Sequence, residues 1–175
     1  MEQIKSLLNE FSPISLKEMD SVKLMSRTDT KYIFHISRFE KILNSLMKDY
    51  KVLEINGNRV CSYETLYFDT KNLDLYMLHH NGRVNRHKVR CRRYVESDLY
   101  FLEIKHKNNK ARTIKSRIKL DEIALDFDKK SKKFIKSITN MDANELVPVC
   151  WINYFRITLV NRNMQERLTL DLRLA

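Results

Sequence analysis

Apolar and polar residues alternate along several stretches of this chain with a period of two. Leu168, Leu170, Leu172 and Leu174 alternate with Arg167, Thr169, Asp171 and Arg173. Ile114, Ile118 and Leu120 alternate with Lys115, Arg117 and Lys119, and Tyr100, Leu102 and Ile104 with Glu103, Lys105 and Lys107. Asn153, Phe155, Ile157 and Leu159 alternate with Tyr154, Arg156 and Thr158. Successive strand side chains point to opposite faces, so each stretch reads as a strand with one apolar and one polar face. The pattern predicts strands at 85–94, 99–107 and 112–120, and a last hairpin at 149–160 and 164–174. Asn56-Gly57, between 51–55 and 59–68, predicts a further hairpin through a type I′ turn.

A period near 3.6 marks the helices. Ile4, Leu7, Leu8 and Phe11 predict a short one over 2–11 that Pro13 ends. Ile36, Phe39, Ile42, Leu43, Leu46, Met47 and Tyr50 predict another, with Ser37 and Glu40 as its capping box. Asp69 or Thr70 is expected to cap a helix over 71–80, with Leu73, Tyr76, Met77 and His80 on one side and Gly82 closing it. Asp128 or Ser131 opens a basic helix to 140 that buries Phe134, Ile135 and Ile138. No internal repeat or linker interrupts the chain, and 1–175 is read as a single domain. The expected class is α+β, with an antiparallel sheet.

Charge changes the picture. The chain carries 33 Lys and Arg against 22 Asp and Glu, a net charge of +11, which calls for an anionic partner. The cations are not scattered. Arg27-x-Asp29-x-Lys31, Arg86-x-Lys88-x-Arg90-x-Arg92, Glu103-x-Lys105-x-Lys107, Lys115-x-Arg117-x-Lys119 and Arg167-x-Thr169-x-Asp171-x-Arg173 each put them on one strand face. Two arrangements give this alternation. One is a sheet packed on one side and wet on the other. The other is a sheet curled so that its charged face lines a groove, with helices over the apolar outside. In the second, the few carboxylates among the cations suit a site where a divalent ion bridges phosphates.

Several chemistries find no support. Three cysteines without CxxC spacing give neither a disulfide framework nor a zinc site, and free thiols fit a reducing cytoplasm. No apolar run reaches the roughly 20 residues that cross a bilayer, and MEQIKSLLNE lacks the features of a secretory signal. A nucleic-acid surface is the main rival reading. Carboxylates at Asp29 and Glu103 work against it, because they repel a phosphate backbone.

Five motifs in order carry a resemblance. They are Arg27-Thr28-Asp29-Thr30-Lys31-Tyr32, Tyr67-Phe68-Asp69-Thr70, Lys88-Val89-Arg90-Cys91-Arg92, Phe101-Leu102-Glu103-Ile104-Lys105 and Tyr154-x-Arg156. Together they resemble the vacuolar transporter chaperone (VTC) domain, a polyphosphate polymerase branch of the triphosphate tunnel metalloenzymes, over residues 24–174. The resemblance implies an antiparallel tunnel with helices outside. It also implies transfer of the γ-phosphoryl group of ATP to a growing polyphosphate chain with Mn2+ or Mg2+. On matching positions, Lys31, Arg90, Arg92, Lys105 and Arg156 would grip the triphosphate or product. Lys88, Lys115 and Arg117 would extend the basic lining, with Arg27 and Arg167 as further phosphate contacts. Glu103 is the first candidate to orient a lysine or hold metal, with Asp29 and Asp171 as further metal candidates. The expected location is cytoplasmic, with a membrane partner protein as an additional expectation.

Two departures modify this. The family pattern continues past the strand matching 164–174 into one bearing a metal-binding glutamate, whereas this chain stops at Ala175. The expected tunnel is therefore short at its C-terminal edge. Asp29 also stands where related tunnel enzymes carry Glu. A non-catalytic polyphosphate- or nucleotide-binding module and a triphosphate or polyphosphate hydrolase are the alternatives.

Overall fold

The computed structural model describes residues 2–20, 29–110 and 112–175. Arg27, and with it the start of the stretch expected to be extended at 24–34, lies outside them. The described helices are α1 (Glu2–Asn9), α2 (Leu16–Asp20), α3 (Phe39–Leu46), α4 (Asp74–His80) and α5 (Lys129–Thr139). The strands are β1 (Pro13–Ser15), β2 (Tyr50–Glu54), β3 (Cys61–Thr70), β4 (Arg86–Tyr94), β5 (Leu99–Lys107), β6 (Thr113–Leu120), β7 (Leu146–Asn161) and β8 (Arg167–Leu172). The class is α+β as expected. The pairings β2–β7, β3–β4, β4–β5, β5–β6 and β7–β8 are antiparallel, and β1 runs parallel to β2.

The chain forms two compact units. The first comprises Met1–Cys61 and Phe155–Leu172. Its core gathers Leu8 and Phe11 from α1 and the turn after it, Phe39 and Leu43 from α3, Tyr50 and Val52 from β2, and Ile157 and Leu159 from β7. β2 pairs with β7 (Val52 opposite Leu159), and β8 pairs with β7 (Ile157 opposite Leu170). Arg59 donates from Nη1 to the carbonyls of Leu8 and Phe11 and from Nε to Glu54, so a cation closes the end of α1.

Three expectations change here. The Ser37–Glu40 capping box does not form. Residues Ile36–Arg38 make a 3-10 turn, His35 Nδ1 accepts from Ser37 N, and Glu40 instead accepts from Gln3. The Asn56-Gly57 turn does form, with φ of 49° and 77° at its two positions. Its ladder stops at the Ile55–Asn58 bridge, and β2 takes β1 and β7 as neighbours. Residues 29–35 are irregular and exposed, with no ladder among the described residues. Alternation assigns faces only where a partner strand holds the backbone, and these residues make no such pairing.

The second unit comprises Ser62–Tyr154 and Arg173–Ala175. Its strands follow the order β7-β3-β4-β5-β6. Leu66, Phe68, Val89, Cys91, Leu102 and Ile104 form one face and pack with Leu75 of α4 and Ile135 of α5. The basic helix thus buries Ile135 and turns lysines outward, with Asp128 Oδ1 accepting from Ser131 N at its start. At α4 the expected caps both act. Asp69 Oδ1 accepts from Leu75 N and Oδ2 from Tyr76 N, while Thr70 Oγ1 accepts from Asp74 N. The buried contact of α4 is Leu75, while Leu73, Tyr76, Met77 and His80, expected on one side, are exposed.

Asp69 is 4% exposed and serves two helix N–H groups that have no intrahelical acceptor. Asp69→Ala is expected to lower stability by about 1–2 kcal/mol. Urea denaturation measures this directly, and an unshifted midpoint would mean that Asp69 does not hold α4.

Candidate phosphate-binding face

The face of β4–β6 opposite the α5-packed core is charged, and its register sets the charges in rows. Lys88 lies opposite Lys105, and Lys105 opposite Lys115. The next row is Arg90, Glu103 and Arg117, and the next Arg92, Phe101 and Lys119. On β3, Tyr67 stands opposite Arg90 and Thr65 opposite Arg92. Apolar alternates hold this face in place because their packing on α4 and α5 forbids a one-residue slip.

At the centre sits Glu103, 1% exposed. Arg90 donates to its Oε2 from Nε at 2.8 Å and Nη2 at 2.7 Å. Lys115 Nζ lies 2.5 Å from Oε1, to which the Tyr94 hydroxyl also donates at 3.1 Å. Arg90 Nη1 reaches on to the Tyr67 hydroxyl at 2.9 Å. Both carboxylate oxygens are therefore engaged. Burial pushes the Glu103 pKa up, but Arg90 and Lys115 outweigh it and hold the group below the usual carboxylate range. Burial also holds Lys115 below the usual lysine range; Glu103 pulls it back, and Arg90 and Arg92 press it down again. The side chain of Lys115 is nevertheless 43% exposed.

Arg92 is held differently. It is 7% exposed, donates from Nε to Thr65 Oγ1 at 3.0 Å, and lies over the rings of Tyr63 and Tyr154 at 5.4 and 5.8 Å. Those two rings stack at 5.0 Å. An arginine set against a stacked aromatic pair is held in place by the rings as well as by its hydrogen bond.

The remaining candidates belong to the other unit. Arg156 makes a two-point pair with Asp171, Nε to Oδ1 at 2.6 Å and Nη2 to Oδ2 at 2.7 Å. Arg167 lies opposite Val160 at the start of β8, and Asp29 and Lys31 are exposed in the irregular segment. The structure thus brings Lys88, Arg90, Arg92, Glu103, Lys105, Lys115 and Arg117 onto one face, and pairs Arg156 with Asp171 separately. Among the described residues, no three His, Cys, Asp or Glu side chains cluster as metal ligands. Glu103 and Asp171 do not fit a metal cage as arranged, because each already spends both oxygens on cations. Burial pushes the Cys91 thiol up to about 12, which removes it as a nucleophile.

Sequence reasoning gave Tyr63 and Tyr94 no part and quoted Tyr67 only within a motif, without its role beside Arg90. Their two-residue spacing with Thr65 or Arg92 was a usable signal, but only the register shows which cation each meets.

The model of the VTC domain family matches residues 26–175. The chain belongs to the VTC family. Among solved structures, this VTC domain is similar to a candidate adenylyl cyclase from Hippeastrum for which a dominant triphosphatase activity is described. The TM-score is 0.55 at 15% identity, covering 79% of this chain and 68% of that one, a likeness of fold. A candidate adenylate cyclase from Vibrio parahaemolyticus matches with a TM-score of 0.46 at 10% identity. That match covers 79% of this chain, which spans 63% of the Vibrio protein's length. No curated protein sequence matches. The family and the Hippeastrum likeness agree with the triphosphate-tunnel fold expected from the motifs. Among the described residues, no helix of this VTC domain is long and apolar enough to cross a membrane.

Removing the Glu103 charge leaves Arg90 and Lys115 unneutralised. Glu103→Gln is expected to cost about 3 kcal/mol at neutral pH, the low end for breaking a buried pair because Lys115 is part-exposed. Glu103 is depressed in the folded protein. Its contribution is therefore present above the unfolded carboxylate range and is lost as pH falls through the lower folded value. Urea midpoints of wild type and variant should converge in acid; a constant gap would rule out the ion cluster as the cause.

Proposed function

We propose that this domain is a polyphosphate polymerase that transfers the γ-phosphoryl group of ATP to a growing polyphosphate chain. The observation that carries the reading is the fixed cation set around Glu103. Arg90 and Lys115 are locked by one carboxylate, so the cluster keeps net positive charge, and Lys88, Lys105, Arg92 and Arg117 surround it. In phosphoryl transfer the protein supplies position and charge neutralisation more than covalent chemistry. The terminal oxygen of the acceptor chain attacks the γ-phosphorus, the bond to the β-bridging oxygen breaks, and ADP leaves. Arg90 and Arg92 present planar donors to the phosphoryl oxygens and the lysines act as point charges. Lys31, Arg156, Arg27 and Arg167 are further phosphate contacts that the family resemblance implies.

The divalent ion expected with this family, Mn2+ or Mg2+, supplies further neutralisation and in this reading arrives as the counter-ion of the nucleotide. Glu103 is then an orienting residue for Arg90 and Lys115, and Asp171 plays the same part for Arg156. Asp29, exposed beside Lys31, is the remaining metal candidate.

Two alternatives have specific support. The engaged oxygens of Glu103 and Asp171 favour a polyphosphate- or nucleotide-binding module without turnover. The triphosphatase activity described for the Hippeastrum protein favours a hydrolase. We place the domain in the cytoplasm, with a membrane-attached partner protein as a further expectation.

Incubation with ATP and Mn2+ should yield long-chain polyphosphate and ADP on a gel assay. Arg90→Ala should lower the rate by on the order of 10²-fold, as for loss of one transition-state donor. Free phosphate without polymer would identify the hydrolase, and polyphosphate bound without turnover the binding module.

Lys115 adds a pH test. A bound polyanion favours its ammonium, so polyphosphate affinity should weaken as pH rises through a value below the ordinary lysine pKa of about 10.4. Titration calorimetry against pH reads this, and Lys115→Met should flatten the profile. An identical profile in the variant would remove Lys115 from the site.

A further inference from the structure

The charged face changes character along its strands. The row Lys88, Lys105 and Lys115 is wholly cationic, whereas two rows away stand Arg92, Phe101 and Lys119. Phe101 is the one apolar residue in these rows. The Arg117 guanidinium lies 4.5 Å from its ring centroid, and Tyr94 meets the ring edge-on at 5.8 Å and 87°.

Charge alone does not call for this arrangement. A phosphate needs a cation, and lysine at 117 would provide one. A planar guanidinium seated on an aromatic ring instead offers a second flat surface for stacking. Arg92 cannot act this way, because it already lies against Tyr63 and Tyr154 and is 7% exposed. Arg117 is exposed and Phe101 half-buried, so their stack is open to a ligand.

We infer that Phe101 and Arg117 form a nucleobase subsite, which seats the base of a nucleoside triphosphate while Lys88, Lys105 and Lys115 hold its phosphates. Phe101 and Lys105 are four residues apart on one strand face, about 13 Å, a separation an extended nucleotide spans. This inference rests on the triphosphate reading above and adds to it the residues that select a nucleotide over inorganic tripolyphosphate.

The test is titration calorimetry of the whole chain with ATP and with inorganic tripolyphosphate at one fixed Mg2+ concentration. Wild type, Arg117→Lys and Phe101→Leu are compared. Wild type should bind ATP more tightly than tripolyphosphate. In both variants the ratio of the two affinities should fall about tenfold, the scale of one lost base stack. Arg117→Lys keeps the charge on an exposed side chain, so it reports even if Phe101→Leu fails to fold. Equal affinities in wild type, or an unchanged ratio in Arg117→Lys, would overturn the subsite while leaving the triphosphate reading in place. If wild type binds neither ligand, the triphosphate reading falls, and this inference with it.

Discussion

Everything on the candidate face depends on the burial of one carboxylate. A charged group taken out of water costs several kcal/mol unless partners replace its hydration. Glu103, 1% exposed, meets that demand with Arg90 on one oxygen and Lys115 and Tyr94 on the other. The same contacts run in reverse. They fix the direction of two long cationic side chains that would otherwise lose rotamer entropy on meeting a ligand. One negative charge orients two positive ones, and the excess is what an anionic ligand meets.

The sheet makes this possible by dividing labour between its faces. Val89, Cys91, Leu102 and Ile104 bury themselves against α4 and α5, and their alternates Arg90, Arg92, Glu103 and Lys105 must then share the other side. The lysines of α5 lie beyond that core, across the sheet from the candidate face. They solvate the helix and have no part in the site. The net positive charge of the chain therefore has at least two physical origins: an organised face and a solvated helix.

Two ways of holding arginine recur. Arg90 is paired with Glu103 and Arg156 with Asp171, each through two nitrogens. Arg92 is held by rings and a hydroxyl. Membership of the VTC family gives this arrangement its context, and the likeness to the Hippeastrum protein is one of fold. The engaged carboxylates set it apart from a ready-made metal cage.

The strands from β4 to β8 and their faces were legible in the sequence, because a period of two forces residues such as Ile104 and Lys105 to opposite sides wherever a strand forms. The turn at Asn56-Gly57 was legible for a similar reason, since its left-handed backbone at both positions favours Asn and Gly. Partnership was not legible. Nothing in the spacing of Ser37 and Glu40 reveals that a 3-10 turn will divert both, nor does Asn56-Gly57 reveal that β2 will take β1 and β7 as neighbours. Likewise, sequence named Glu103 for orienting a lysine or holding metal, and the structure engages both its oxygens with cations and Tyr94. The sequence alone determined which residues could share a face, because that follows from backbone geometry within one strand. Which strands lie side by side, and hence which charge neutralises which, was decided only by the tertiary structure, where burial presses polar groups such as Glu103 to find partners.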